Sequence, residues 1–139
     1  MDINKLSGEI IGAAIEVHKT LGPGLLKSAY EQCLCHELNL RELSFESQKP
    51  LPVEYKGERL DCGYRLDIVI DNAIILELKA CEAIIPIHKA QLLTYLKLSG
   101  LHLGLILNFN VPVMRDGIVR IVNKLDEKNL ISATFASLR

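Results

Sequence analysis

Two adjacent β-type runs, GYRLDIVID at residues 63–71 and AIILELKA at residues 73–80, constrain this chain more than any other feature, because each is strongly apolar yet carries a carboxylate near its middle. Side chains on a strand alternate between faces. Leu66, Ile68 and Ile70 therefore share one face, with Asp67, Val69 and Asp71 on the other; in the second run Ile74, Leu76 and Leu78 oppose Ile75, Glu77 and Lys79. Asp71-Asn72-Ala73 between the runs has the chemistry of a tight turn. A three-residue turn pairs Ile70 with Ile74, Ile68 with Leu76 and Leu66 with Leu78, giving one wholly apolar face and setting Asp67 opposite Glu77. A two-residue turn would put Asp67 opposite Leu76 and mix charge into that face, which a buried sheet disfavours.

Carboxylates brought to a Cβ separation of about 5 Å repel each other unless one is protonated or a cation lies between them. Asp67 and Glu77, the backbone carbonyl of Leu78 and water molecules would form an all-oxygen donor set, which suits octahedral Mg²⁺ or Mn²⁺ better than zinc. Lys79 shares the face of Glu77 and can orient or deprotonate a metal-bound water and offset the charge of a phosphoryl transition state. Glu-Leu-Lys by itself is weak, since such a pair more often lies solvated on a strand face. Asp67 in matching register adds weight, as does a downstream helix on which His88, Gln91 and Tyr95 fall at three- and four-residue steps and share a face. The plainer reading of that stripe is a polar helix face in water.

Around this hairpin the order reads ααβββαββ. Apolar residues recur at helical steps from Asp2, a candidate N-cap, to about Leu21; LGPGL at residues 21–25 breaks the helix; a second runs from about Leu26 to Leu40, its apolar face carrying Leu26, Ala29, Tyr30, Cys33, Leu34 and Leu38. The β-type runs are SFESQKPLPVEYKG, ERLDCGYRLDIVID and AIILELKA, with Lys56-Gly57 as a hairpin turn between the first two. Pro86 opens a third helix that Gly100 closes, and LHLGLILNF and GIVRIVN read as strands, followed by a charged tail from Lys124 to Arg139. The 139 residues suit one domain, with a core over about residues 10–123. No apolar stretch reaches membrane-spanning length and the amino terminus lacks the order of a secretory signal, so the expectation is a cytoplasmic protein with no membrane partner. Cys33, Cys35, Cys62 and Cys81 form no CxxC pair and read as buried free thiols.

Several segments in this order resemble the GxxExxY proteins of the PD-(D/E)XK nuclease-like superfamily: LGPGLLKSAYE, GYRLDIVI, ILELKA, PIHKAQLLTYLKLSG and LGLILNFN. The resemblance implies an α/β fold with an αβββαβ core, a mixed sheet flanked by helices, and an extra N-terminal helix. It places the superfamily's Asp and ExK on Asp67, Glu77 and Lys79, and its QxxxY helix motif on Gln91 and Tyr95. In one place the chain departs from the pattern. Counting from Gly24, Lys27 stands where the motif has its glutamate, three residues before Tyr30. If a helix carboxylate completes the metal site, Glu31, one turn on, is the remaining candidate; alternatively Lys27 contacts a phosphate, or activity has been lost.

The leading expectation is a Mg²⁺-dependent nuclease acting on DNA. Its rival is a module that keeps the fold and binds nucleic acid or a protein without cutting. A formal net charge of −1 counts modestly against a large duplex-binding surface and makes a homodimer an attractive way to hold one. A nucleotide site is a third class, but GPG at residues 22–24 lacks the Lys-Ser/Thr sequel of a phosphate-binding loop.

Overall fold

The computed structural model describes residues 1–124, so the tail read from Lys124 onward lies, apart from that residue, outside the described part. Helix α1 (Ile3–Leu21) starts at Asp2, whose side chain accepts from the Lys5 N–H at 2.9 Å and so satisfies one of the helix's unpaired donors. It buries Leu6, Ile10, Ala13, Ala14 and Val17 as one stripe. Helix α2 (Lys27–Leu40) buries Tyr30, Leu34 and Leu38, a narrower face than the sequence suggested. Leu26 is only the N-cap residue and is 77% exposed, and Cys33 faces solvent. Cys62 is exposed as well and Cys35 and Cys81 are half-buried, so the expectation of buried thiols is corrected. Their spacing said nothing about which side of an element meets water.

The three β-type runs resolve into five strands. SFESQKPLPVEYKG divides at Leu51-Pro52 into β1 (Phe45–Pro50) and β2 (Val53–Tyr55), and the next run divides into β3 (Glu58–Leu60) and β4 (Arg65–Ile70). Proline has no N–H to give a ladder, and Pro50 and Pro52 bracket the point where the chain leaves the main sheet. β2 and β3 form a separate hairpin whose two-residue turn, Lys56-Gly57, has positive φ at both positions (48° and 82°), as the sequence indicates.

With β5 (Ile74–Lys79), β6 (Leu103–Asn108) and β7 (Ile118–Val122), the main sheet has the order β1-β4-β5-β6-β7. Among the described strands only β5 and β6 run parallel, and the crossover this requires is α3 (Pro86–Ser99), which opens on Pro86 and stops at Gly100 in the left-handed region (φ 75°, ψ 13°). One face of the sheet, with Ile68, Ile70, Leu76, Leu78, Leu105 and Leu107, packs under α1 and α2. The other packs Val69, Ile75 and Ile106 against Leu92, Tyr95 and Leu96 of α3. This is the mixed α/β architecture expected. Among the described residues no helix is long and apolar enough to cross a membrane.

The far side of the sheet is locked by close backbone contact. A methyl group on Gly117, which precedes β7, would lie 2.0 Å from the Asn108 carbonyl oxygen, a backbone atom that cannot turn aside. Gly117→Ala is therefore expected to destabilise the protein by more than about 2 kcal/mol, read as a lowered urea midpoint. An unchanged midpoint would show that the segment shifts freely.

Candidate active site

The register between β4 and β5 is the one hydrophobic patterning selects: Ile70 faces Ile74 and Ile68 faces Leu76, across a turn with Asp71 and Asn72 at φ near 50°. The regular ladder ends there. Beyond it the Asp67 N–H points to Glu77 Oε1 at 3.4 Å, and the Leu78 N–H donates to Asp67 Oδ2 at 2.9 Å. The two carboxylates thus take over backbone groups that a continuing ladder would pair. On the other side, β1 pairs with β4 at Ser47–Ile68 and Lys49–Leu66, but the rung between, Gln48 with Asp67, is absent and Gln48 sits at φ 52°. Asp67 lies at a break in the ladder on both sides. The expected continuation of one apolar face from Ile68 to Leu66 fails at that break, because Leu66 packs instead with Leu51, Val69 and Ile75.

Asp67 and Glu77 are 5% and 6% exposed. Burial, and then the negative charge of Asp67, push the Glu77 carboxyl up to about 7, against the Asp67 N–H and the ammonium groups of Lys27 and Lys79, which act the other way. Lys79, half-buried at the end of β5, is thus near enough to act on Glu77 through its charge. Near neutral pH this corner holds one carboxyl poised between its two protonation states.

Lys27 is the side chain that α2 brings to the site. Its Nζ lies 3.1 Å from Oδ1 and 3.0 Å from Oδ2 of Asp67. The anchor for this placement is Tyr30, three residues on and fully buried, stacked on Phe109 with ring centroids 4.6 Å apart. Its hydroxyl donates to the Gly22 carbonyl and accepts from the Leu25 N–H, closing the Gly22–Leu25 bend in which Gly24 has φ 99°. Glu31 goes elsewhere: its carboxylate accepts from the Gln48 amide at 2.8 Å in an exposed contact. Among the described residues no three His, Cys, Asp or Glu side chains gather closely enough to hold a metal ion, so Glu31 does not complete a carboxylate triad with Asp67 and Glu77. Residue 48 in its left-handed conformation offers the nearer partner.

Opposite these groups, α3 contributes Tyr95. Burial first, then the charge of Glu77, with smaller contributions from Tyr64 and Asp67, raises its phenol, while a hydrogen bond with the exposed Gln91 one turn earlier lowers it. Tyr95 therefore stays a protonated donor at neutral pH. His88 has a structural part, its Nδ1 accepting from the Ile85 N–H at 3.1 Å at the start of α3. Two useful residues escaped the sequence reading. Tyr64 tilts toward Tyr95 with centroids 5.9 Å apart. Asn108, buried at the end of β6, accepts from the Cys81 N–H and donates to the Cys81 carbonyl, tying down the chain just past Lys79. An asparagine ending an apolar strand was the available signal.

Comparison with known families matches residues 4–121 to the PD-(D/E)XK nuclease superfamily, and the chain belongs to that superfamily. Neither the curated proteins nor the solved structures returned a match.

The raised Glu77 carboxyl has a consequence for stability. Between pH 4.5 and about 7 the folded protein retains a proton that the unfolded chain releases, so this group's contribution is full below that window and is lost as pH rises through it. Glu77→Gln, which can still accept from the Asp67 N–H, is expected to match wild type near pH 4 and to exceed it at pH 8, in chelator, by on the order of 2–3 kcal/mol. Urea unfolding at the two pH values measures this. Equal pH dependence of the two proteins would contradict it.

Proposed function

We propose that this protein is a divalent-cation-dependent nuclease that hydrolyses phosphodiester bonds of DNA, with Asp67, Glu77 and the Leu78 carbonyl as ligands to Mg²⁺ or Mn²⁺. The observation that supports this most is the burial of two carboxylates in one corner of the sheet, where the ladder gives way and Lys79 stands beside them. The donor chemistry fits a hard cation, because every ligand is oxygen. Bound there, the cation would polarise the scissile phosphate and acidify a water.

The chain's own residues do the rest. Lys79 holds or receives the proton of the attacking water and offsets charge developing on the phosphoryl oxygens. The Tyr95 hydroxyl donates to a phosphate oxygen, and Gln91 orients that phenol. An open groove of about 560 Å³ beside them, lined by Val53, Tyr64, Gln91, Tyr95 and Leu98, offers room for a nucleotide. A formal net charge of −1 gives one copy little cationic surface for a duplex, and a homodimer is the unit this reading favours for holding one.

One contact favours a second reading. With Lys27 seated on Asp67, the fold could bind nucleic acid without cutting it. Plasmid nicking and fluorescence-anisotropy binding in millimolar Mn²⁺ separate the two. The nuclease reading expects Asp67→Ala to abolish metal uptake and cleavage, and Lys79→Ala to retain metal while losing about a hundredfold or more in rate. No nicking by wild type, together with nucleic-acid binding that survives or strengthens in Asp67→Ala, would establish the second reading instead.

A further inference from the structure

The chain itself brings cations to the polar corner. The ammonium of Lys27 pairs with Asp67, and those of Lys27 and Lys79 both act through their charge on Glu77. Lys27 straddles the Asp67 carboxylate, with Nζ 3.1 and 3.0 Å from its two oxygens, and Oδ2 also accepts the Leu78 N–H at 2.9 Å. Both oxygens of the carboxylate are engaged. A divalent ion that took Asp67 as a ligand would meet an ammonium already on it, and two cations cannot share that position without strong repulsion.

Nor is this position for Lys27 one that its own helix favours. It is the first residue of α2, where the positive end of the helix dipole disfavours a cation and prefers a carboxylate. What holds it is the anchored bend before it and the partner in front of it: Tyr30 fixes the Gly22–Leu25 bend, and Asp67 supplies the compensating charge. At the same time the Lys27 side chain is 44% exposed, against 7% for Asp67. The ammonium can therefore swing into water on its flexible stem without moving the helix, whereas Asp67 cannot leave.

From this geometry, and resting on the metal-dependent reading above, we infer that Lys27 is a built-in counter-cation of Asp67 that a divalent ion must displace, so that residue 27 sets the metal affinity of the site. In the resting protein the ammonium does the electrostatic work of the ion. Metal enters as Lys27 leaves, and the lysine so released can pair with a substrate phosphate.

Titration of the full chain with Mn²⁺ by isothermal calorimetry tests this without any measurement of activity. Wild type and Lys27→Arg are expected to bind weakly, Lys27→Met at least about tenfold more tightly, and Lys27→Glu, which adds a third carboxylate, more tightly again. Asp67→Asn should bind nothing. If Lys27→Met binds no better than wild type while Asp67→Asn abolishes binding, the displacement inference fails and the metal reading stands. Absence of binding in every variant, Lys27→Glu included, overturns both. Should Lys27→Met be unfolded in chelator because Asp67 is left uncompensated, recovery of its helical ellipticity on adding Mn²⁺ supports the inference, and failure to recover overturns it.

Discussion

Burial of two carboxylates side by side is the constraint to which the rest of this corner answers. An unpaired buried charge is expensive, so each such group must be hydrogen-bonded, paired or protonated. All three devices are present. Asp67 accepts the Leu78 N–H and the Lys27 ammonium, Glu77 accepts the Asp67 N–H, and the carboxyl of Glu77 is raised to about 7, so that it is partly protonated near neutrality. The backbone yields as well: on both flanks of Asp67 regular pairing is interrupted, and the side chains take its place.

Much of the surrounding architecture serves to keep these groups where they are. Tyr30, stacked on Phe109 and bonded to both ends of the bend, fixes the start of α2 and with it Lys27. Asn108 clamps Cys81, two residues beyond Lys79, while Gly117 lets the backbone before β7 approach the Asn108 carbonyl. From the opposite face α3 presents Tyr95, with its hydroxyl kept protonated by burial and nearby negative charge. Members of a nuclease superfamily act on nucleic acid, and groups of this kind can bind a phosphate and move a proton beside it.

Features set by local chemistry were readable from the amino-acid order: Asp2 as an N-cap, the Lys56-Gly57 turn, Pro86 and Gly100 bounding α3, and the three-residue turn before Ile74. The β4–β5 register was readable for a different reason, since a slip by one residue would move every apolar side chain to the wrong face. What escaped depends on contacts distant in sequence. Alternation cannot foresee that Leu66 changes clusters where carboxylates replace ladder bonds, nor that a left-handed Gln48 draws Glu31 aside. Lys27 marked itself by reversing an expected charge. Its partner, 40 residues away, was invisible without the fold.

In the proposed site, Asp67 and Glu77 bind the divalent cation whose place Lys27 otherwise holds. Anomalous scattering from crystals soaked in Mn²⁺ addresses it most directly. The expected result is a manganese peak within bonding distance of both carboxylates, with the Lys27 ammonium turned away from Asp67. No peak at saturating Mn²⁺, or a peak elsewhere with Lys27 still seated on Asp67, would contradict it.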